Sequence, residues 1–312
     1  MMAPKPFDLL VAGEINPDLI LAGDVEPAFG QAEKLVDSAD LEVGSSSVIF
    51  ACGAACLGLK VAFAGICGDD FFGRFMLAEM TKHGINISHV EADPALQTGM
   101  SVILSRGNDR AILTYPGCIA ALRAGQIPDG LLEEARHLHV ASYFLQTALQ
   151  TGLPDLFTRA HTLGLTTSLD PNWDPSGEWR SLDTLLRSVD VFLPNADEAQ
   201  ALSGAATVEA ALDNLGRICG TVTIKLGEKG AIAVRAGRHA RVPALAVAVV
   251  DTVGAGDSFD AGFLYGWLKG WSLEEALGLG AACGSLSTRA AGGTAAQPSL
   301  DEASRYAGRN PG

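Results

Sequence analysis

Basic residues are scarce in this chain. Twenty-two Lys and Arg stand against 36 Asp and Glu, a formal net charge of −14, and a surface of that sign repels phosphate backbones and anionic headgroups, which argues against nucleic-acid and membrane partners. Paired cysteines are missing as well. Cys52, Cys56, Cys67, Cys118, Cys219 and Cys283 show no Cys-x-x-Cys spacing in a chain of 312 residues, so they read as reduced thiols of a cytoplasmic protein. Cys52 and Cys56, one helical turn apart, read as small core residues rather than ligands. No basic and apolar leader follows Met1. The most apolar stretch, residues 48–67, is interrupted by Gly53, Gly58, Lys60 and Gly65, and reads as a buried helix followed by a buried strand rather than a membrane span. Repeats, low-complexity tracts and Pro/Ser-rich linkers are absent, so residues 1–312 read as a single domain.

Several site signatures are missing too. No Gly-Lys dipeptide occurs, which removes a Walker A loop, and neither Gly-x-Gly-x-x-Gly, Gly-x-Ser-x-Gly nor His-x-x-x-His is present. His137 and His139 share a strand face without an acidic or Cys partner at metal-ligand spacing, so no zinc site is expected.

Glycine is in excess, with 36 copies and no collagen-like period, as expected where backbone approaches a ligand or another element. Apolar runs bounded by turn residues recur at 7–13, 61–65, 137–141, 166–169, 189–193, 222–226 and 231–234. They are short and continuously apolar, as strands buried on both faces of a mainly parallel sheet are. Helical segments at 72–83, 153–163, 198–202 and 258–269 lie between them, and Ser272 with Glu275 makes a capping box for a helix over 273–287. The order specifies an α/β fold with a doubly wound, mainly parallel sheet and helices on both faces. Two stretches break the alternation. Residues 19–43 read as strands interrupted by Pro27 and Gly30, and 100–104 with 110–115 read as a hairpin turning at Arg106-Gly107-Asn108-Asp109. Together, about 19–43 and 100–115, they make either a small β lid over a site or a surface extension of an edge.

The densest chemical signal is Asp251-Thr252-Val253-Gly254-Ala255-Gly256-Asp257-Ser258-Phe259. It ends an apolar stretch and opens a helix whose Phe259, Phe263, Leu264, Trp267 and Leu268 share one face. A helix N-terminus offers unpaired N–H groups and the positive dipole end, and Gly254 and Gly256 let an anion approach the backbone. Asp257 opposes an anion there, so it either caps the helix or accepts a proton from an attacking hydroxyl; both readings stand on this window alone.

This stretch closely resembles the C-terminal signature of the ribokinase family, the PfkB-type carbohydrate kinases. Further resemblances follow in the family's order. Gly13-Glu14-Ile15-Asn16-Pro17-Asp18 is similar to its first strand and substrate Asp. Gly44-Ser45 through Leu57-Gly58, Val61-Ala62-Phe63-Ala64-Gly65 and Gly68-Asp69-Asp70-Phe71-Phe72-Gly73 resemble its N-terminal signature. Asn195-Ala196-Asp197-Glu198 resembles its Asn-x-x-Glu motif, and Lys225-Leu226-Gly227-Glu228-Lys229-Gly230 its nucleotide loop.

The resemblance implies a ribokinase-like fold and ATP-dependent phosphorylation of a sugar or nucleoside hydroxyl, with sugar favoured. It makes Asp257 the base and the backbone of Gly254, Ala255, Gly256 and Asp257 the anion hole. Glu198, with Asn195, would hold Mg²⁺ through water; Lys225, Gly227 and Gly230 would meet the nucleotide; Asp251 and the loop 288–294 resemble a monovalent-cation site for K⁺ or a similar ion. Asp18 would accept two sugar hydroxyls, with Asn16, Gly44 and Ser45 beside it, and a homodimer would form through the lid. Read alone, Asn195 and Glu198 are a turn and a solvated helix start, Lys225 is equally a surface charge, and Asp18 equally caps a turn.

The chain departs from the family on the substrate side. Ser45 replaces the second Gly of a Gly-Gly pair, Ile49 stands where an Asn is usual, and Trp173 occupies the neighbourhood where acid-sugar kinases carry an Arg, which argues against a keto-deoxy acid substrate. Gln146, after Tyr143-Phe144-Leu145, reads either as a further pocket residue or, more simply, as packing. A catalytically silent sugar- or nucleotide-binding protein on the same fold is the competing reading, and a Rossmann oxidoreductase, without its fingerprint, is third.

Overall fold

A computed structural model describes residues 5–106, 109–180 and 182–307. The chain begins with β1 (Phe7–Ala12), β2 (Pro17–Ala22), β3 (Ser38–Val43), α1 (Ser46–Cys56), β4 (Val61–Gly68), α2 (Phe71–Lys82) and β5 (Asn86–Asp93). A hairpin of β6 (Met100–Arg106) and β7 (Asp109–Tyr115) leads through α3 (Asp129–Glu133) to β8 (Ala135–Val140), α4 (Thr147–Gln150), α5 (Leu153–Thr162), β9 (Thr166–Leu169), α6 (Asp183–Leu186) and β10 (Val191–Phe192). Then come α7 (Ala196–Ser203), α8 (Val208–Gly216), β11 (Thr221–Lys225), β12 (Ala231–Arg235), β13 (Arg238–Val242), α9 (Ala255–Leu268), α10 (Leu273–Ser287) and α11 (Leu300–Tyr306).

Nine strands form one sheet in the order β13-β12-β11-β10-β9-β8-β1-β4-β5. Its pairs are parallel except β11 with β12 and β12 with β13. Strand residues alternate between two cores. Leu9, Val11, Val61 and Phe63 face the side of α1, α9 and α10; Leu10, Ala12, Ala62 and Ala64 face the side of α3, α5 and α8. Burial on both faces is why these strands are apolar at every position, and each fully buried phenylalanine, Phe50, Phe63, Phe157, Phe192 and Phe263, contributes about 1.5–3 kcal/mol. Residues 48–67, the most apolar stretch, are α1 and β4, and no helix of the described residues is long and apolar enough to cross a membrane.

A four-stranded sheet in the order β3-β2-β6-β7 stands apart. Ile20 and Ile103 of this sheet meet Val253 of the glycine-rich loop, so it leans on the loop that opens α9. Register runs from Met100↔Tyr115 to Arg106↔Asp109 across the hairpin; Gly107 and Asn108 of the expected turn lie outside the described residues.

The fold differs from the sequence reading at the sheet's margins. β5 has no buried residue and mixes polar with apolar positions, and β13 is mostly exposed and basic, so neither gives an apolar run to detect, because edge strands face solvent on one side. Cys56 is exposed rather than a core residue, and all six cysteines are free.

Candidate active site

The chain leaves β1 in one direction toward β4 and β5, while β8 to β11 extend the sheet on its other side. Such a reversal opens a crevice at the carboxyl ends of the strands. The segments following β1, β8, β9, β10 and β11 converge there with the start of α9.

At that start Gly254 is the N-cap in the left-handed region, φ 70°, with no side-chain cap. The capping reading of Asp257 is thereby overturned: it is the third residue of the helix. A Cβ on Gly254 would stand 2.7 Å from Gly293 Cα and 2.8 Å from Ile49 Cγ2, whereas one on Gly256 would meet nothing closer than Lys225 Nζ at 3.6 Å. The first turn's N–H groups point out of the helix end, where an anion can meet them.

Asp257 is buried. Burial pushes its carboxyl up to about 8; Asp170 and Glu14 add to the rise, and Lys225 and Ser46 oppose it. Lys225 is no surface charge. Its ammonium donates to Asp170 at 2.7 Å and to Asp260 at 3.0 Å, and although burial works against it, Asp170, Asp260 and Glu198 hold its pKa above the usual lysine value. Asp260 is raised well above the carboxylate range, by burial first, and its Oδ1 is buried without a hydrogen-bond partner.

Asn195 and Glu198 form a reciprocal capping box at α7: Asn195 N–H donates to Glu198 Oε2 at 2.8 Å, and Glu198 N–H to Asn195 Oδ1 at 2.9 Å. The turn reading of Asn195 holds, but Glu198 is buried rather than solvated, and burial, with Asp170, pushes it to about 7 against Lys225. Gly227 opens and Gly230 ends a single 3₁₀ turn, Gly227–Lys229. Gly227, φ 59°, has open space where a Cβ would be; Gly230, φ 88°, is packed against Val242 O, so β13 requires it.

On the substrate side Asp18 is buried and pushed to about 7 by burial, with Arg110 opposing and Asp251 and Glu14 reinforcing. Gly44 lies flat on it: a Cβ would collide with the Asp18 carboxylate and stand 2.8 Å from Asn16 O. Ser45 tolerates φ 66° while its hydroxyl donates to Glu14 O at 2.7 Å and caps Val48 N–H at 3.1 Å, so that hydroxyl is committed to the fold. Arg110 also reaches Thr252 Oγ1 at 3.4 Å, bridging the small sheet to the glycine loop. Ile49 packs against Gly254 and Gly293, and Gln297 Nε2 ties Ile49 O, at 2.9 Å, to Ser258 Oγ, at 3.0 Å. Asp251 accepts from Val253 N–H and Gly292 N–H, both at 3.0 Å, clasping two loops.

Glu14, Ser46, Arg110, Asp170, Asn172 and Asp260 belong to this cluster, and the sequence reading gave none of them a role in the site. The strand-end run Asp170-Pro171-Asn172 and the three-residue spacing of Asp257 and Asp260 were the visible signals. Trp173 is exposed beside it, while Gln146 turns its amide to Ala141 O at 2.6 Å. His137 and His139 share Ser168 Oγ, each at 2.7 Å, and among the described residues no group of three or more His, Cys, Asp or Glu is arranged to hold a metal on its own.

A family description reading pfkB family carbohydrate kinase matches residues 12–300. Fructoselysine 6-kinase of Shigella flexneri is 33% identical over 219 residues, 69% of this chain and 78% of that protein. 2-Dehydro-3-deoxygluconokinase of Bacillus subtilis is 30% identical over 273 residues, 82% and 83% of the two chains. The crystal structure of a probable sugar kinase from Rhizobium etli superposes with a TM-score of 0.86 at 25% identity, covering 97% of this chain and 99% of that one.

Proposed function

The chain belongs to the pfkB family of carbohydrate kinases and phosphorylates a sugar hydroxyl with ATP, and from that premise we propose that Asp257 deprotonates a neutral sugar or sugar derivative held against Asp18. One observation carries this reading: a buried carboxylate, released from any capping role, directly follows a glycine cradle at a helix start.

Asp18, with Asn16 beside it and Gly44 giving room, accepts hydrogen bonds from two sugar hydroxyls. As a third hydroxyl oxygen bonds to the γ-phosphorus, its proton passes to Asp257, and the bond to the bridging oxygen breaks with its electrons leaving on ADP. The backbone N–H groups of 254–257 face the developing charge, and the Lys225 ammonium beneath Gly256 adds positive potential without leaving its carboxylates. Gly227 gives the nucleotide a backbone it can approach. When bound with ATP, Mg²⁺ would supply neutralisation of the phosphate charge. The oxygen donors of Glu198 and Asn195 suit that ion, and their engagement in the capping box favours holding it through water.

Asp251 and the loop 288–294 support a monovalent-cation site. The residues 19–43 and 100–115 serve as a lid, and exposed Ile112, Leu113 and Tyr115 on edge strand β7 support a homodimer through it. Six free thiols support a cytoplasmic setting. Trp173 in place of an arginine disfavours acid sugars, and the complete set of Asp257, Gly254, Gly256 and Glu198 disfavours a silent binding protein.

ADP release with Mg²⁺-ATP across hexoses, pentoses, acid sugars and nucleosides tests this. A neutral sugar should be the best acceptor, with higher rates in K⁺ than in a bulky organic cation at fixed ionic strength. Preference for an acid sugar or a nucleoside would overturn the substrate reading.

A further inference from the structure

Phe259, Ala261, Phe263 and Leu264 seat α9 in the core shared with α1 and α10. Apolar burial is non-directional, so the rotation of the helix about its own axis is set by polar ties. Ser258 Oγ, in the first turn, accepts from Gln297 Nε2 at 3.0 Å. Asp260, in the second turn, accepts on Oδ2 from the Lys225 ammonium at 3.0 Å, while its Oδ1 is buried with no partner. Among the described residues, the lysine is what holds this carboxyl.

The same ammonium donates to Asp170 Oδ2 at 2.7 Å, and the side chains of Asp170 and Asp260 are only 2% and 1% exposed. Asp170 is fixed at the end of the sheet: its N–H donates to Val140 O at 3.0 Å, and its Oδ1 accepts the Asn172 N–H at 3.2 Å. Lys225 closes β11 with its own N–H on Pro194 O at 3.0 Å. Its stem passes beneath the cradle, where a Cβ on Gly256 would stand 3.6 Å from Nζ, 3.7 Å from Cδ and 3.9 Å from Cε. Two of the three ammonium protons are taken by carboxylates. A lysine so held reaches toward a nucleotide only by breaking a buried ion pair.

We propose that Asp170, Lys225 and Asp260 form a clamp from sheet to helix, in which Lys225 and Asp260 are positioning residues that fix the rotation of α9 and so aim Asp257 and the glycine cradle at the acceptor hydroxyl. Asp257 and Asp260 lie three residues apart on one face of the helix, and a pin on one sets the direction of the other. The clamp rests on the reading of Asp257 as the base, and it replaces the nucleotide contact expected of Lys225 by action through the helix. The charged groups around Asp257 are Glu14 after β1, Asp170 after β9, Asp260 on α9 and Lys225 at the end of β11; those around Lys225 are Asp170, Asp260 and Glu198 of α7. Lys225 is the cation among them and opposes the rise at Asp257.

Asp260→Ala removes the pin and leaves Lys225 paired with Asp170. It should lower kcat about 10- to 100-fold, as a small misplacement of reacting groups does, with KM for ATP within about threefold and the rising limb of kcat/KM for the sugar against pH unmoved. Asp260→Asn, which keeps an acceptor for the ammonium, should recover most of that loss. Lys225→Met should match the kcat loss and also move the limb to higher pH, by about one unit, because the cation that favours the ionised base is gone. The double variant Lys225→Met with Asp260→Ala should be no worse than the poorer single one. If Lys225→Met fails to fold, with Asp170 left buried and unpaired, the two Asp260 variants decide the question. Near-normal kcat in Asp260→Ala, no recovery in Asp260→Asn, or a KM for ATP raised about tenfold or more in Lys225→Met with kcat retained would overturn the clamp. Asp257→Asn assayed alongside separates the two ideas: near-normal turnover there sinks the base assignment, whereas a dead Asp257→Asn with an unaffected Asp260→Ala sinks the clamp alone.

Discussion

The side chain of Ile49 occupies the space into which a methyl group on Gly293 would have to project. The same isoleucine touches the Cβ position of Gly254, so a residue with no hydrogen bond to offer a sugar has become the wedge that spaces the anion cradle from the loop behind it. Ile49→Ala should destabilise the protein by about 2–5 kcal/mol, as buried Ile-to-Ala changes do, and should lower kcat by letting the cradle relax. Urea unfolding and steady-state kinetics on the same preparation check both; unchanged stability would show that the site collapses to fill the void.

Gly254 and Gly256 should respond oppositely to alanine. Gly254 sits at φ 70° against Gly293, so Gly254→Ala should cost stability through strain and contact, by about 1 kcal/mol or more. The Gly256 position has ordinary dihedrals and room for a methyl; nothing in the unliganded fold requires glycine there. Gly256→Ala should leave the melting temperature within about 2 °C, a few tenths of a kcal/mol, and lower kcat/KM for ATP because the methyl stands where phosphate approaches. Normal kinetics in Gly256→Ala would move the phosphate elsewhere.

Asp257 should set the pH dependence of activity and oppose stability at the same time. With its carboxyl at about 8, kcat/KM for the sugar should rise with pH through that value as the base ionises. The folded pKa lies above the unfolded value, so the group's favourable contribution is present below pH ~4 and is lost progressively as pH rises through about 8, at about 1.4 kcal/mol per unit. Asp257→Asn should therefore cost about 10²–10⁴ in kcat while gaining stability over the parent as pH rises from 4 to 8. Thermal melts of both proteins at those two pH values check the sign.

The buried histidines pull the other way. Burial lowers His137 to about 3, and burial, His137 and Lys225 place His139 well below its ordinary value. A depressed histidine stabilises above pH 6.5 and loses that contribution as pH falls toward its folded value. Replacing His139 with Gln should make the variant gain on the parent by about 1.4 kcal/mol per unit below pH 6.5. Parallel stability curves for the two proteins would contradict it.

Closure of the lid is measurable by hydrogen exchange. Among the described residues, apolar contact at Ile20, Ile103 and Val253 and the long Arg110–Thr252 bond link lid to loop. Residues 19–43 and 100–115 should therefore gain amide protection when sugar and a nonhydrolysable ATP analogue bind together. Unchanged protection in both segments would remove the lid role.

The buried strands and the helix from Leu273 to Ser287 were readable because each is decided locally, by an apolar run or by a Ser-to-Glu capping box. β5 and β13 were not, since edge position rather than composition makes them strands. In the site, Asp257 and the glycines announced themselves by spacing along one segment. Glu14, Ser46, Asn172 and Asp260 acquire meaning only through partners on other strands, as Lys225 does: its sequence neighbours gave no hint that Asp170 and Asp260 would bury it.

The bond from Gln297 to Ile49 O joins residues 248 positions apart, and α1, apolar over nearly its whole surface, is sealed by α9. Chain emerging from the ribosome in order leaves α1 uncovered until almost all of the protein has been made. The catalytic corner is thus the last part to assemble, and premature termination before α9 leaves sheet, sticky helix and no activity. That ordering is set by where along the chain the two halves of one small site are encoded.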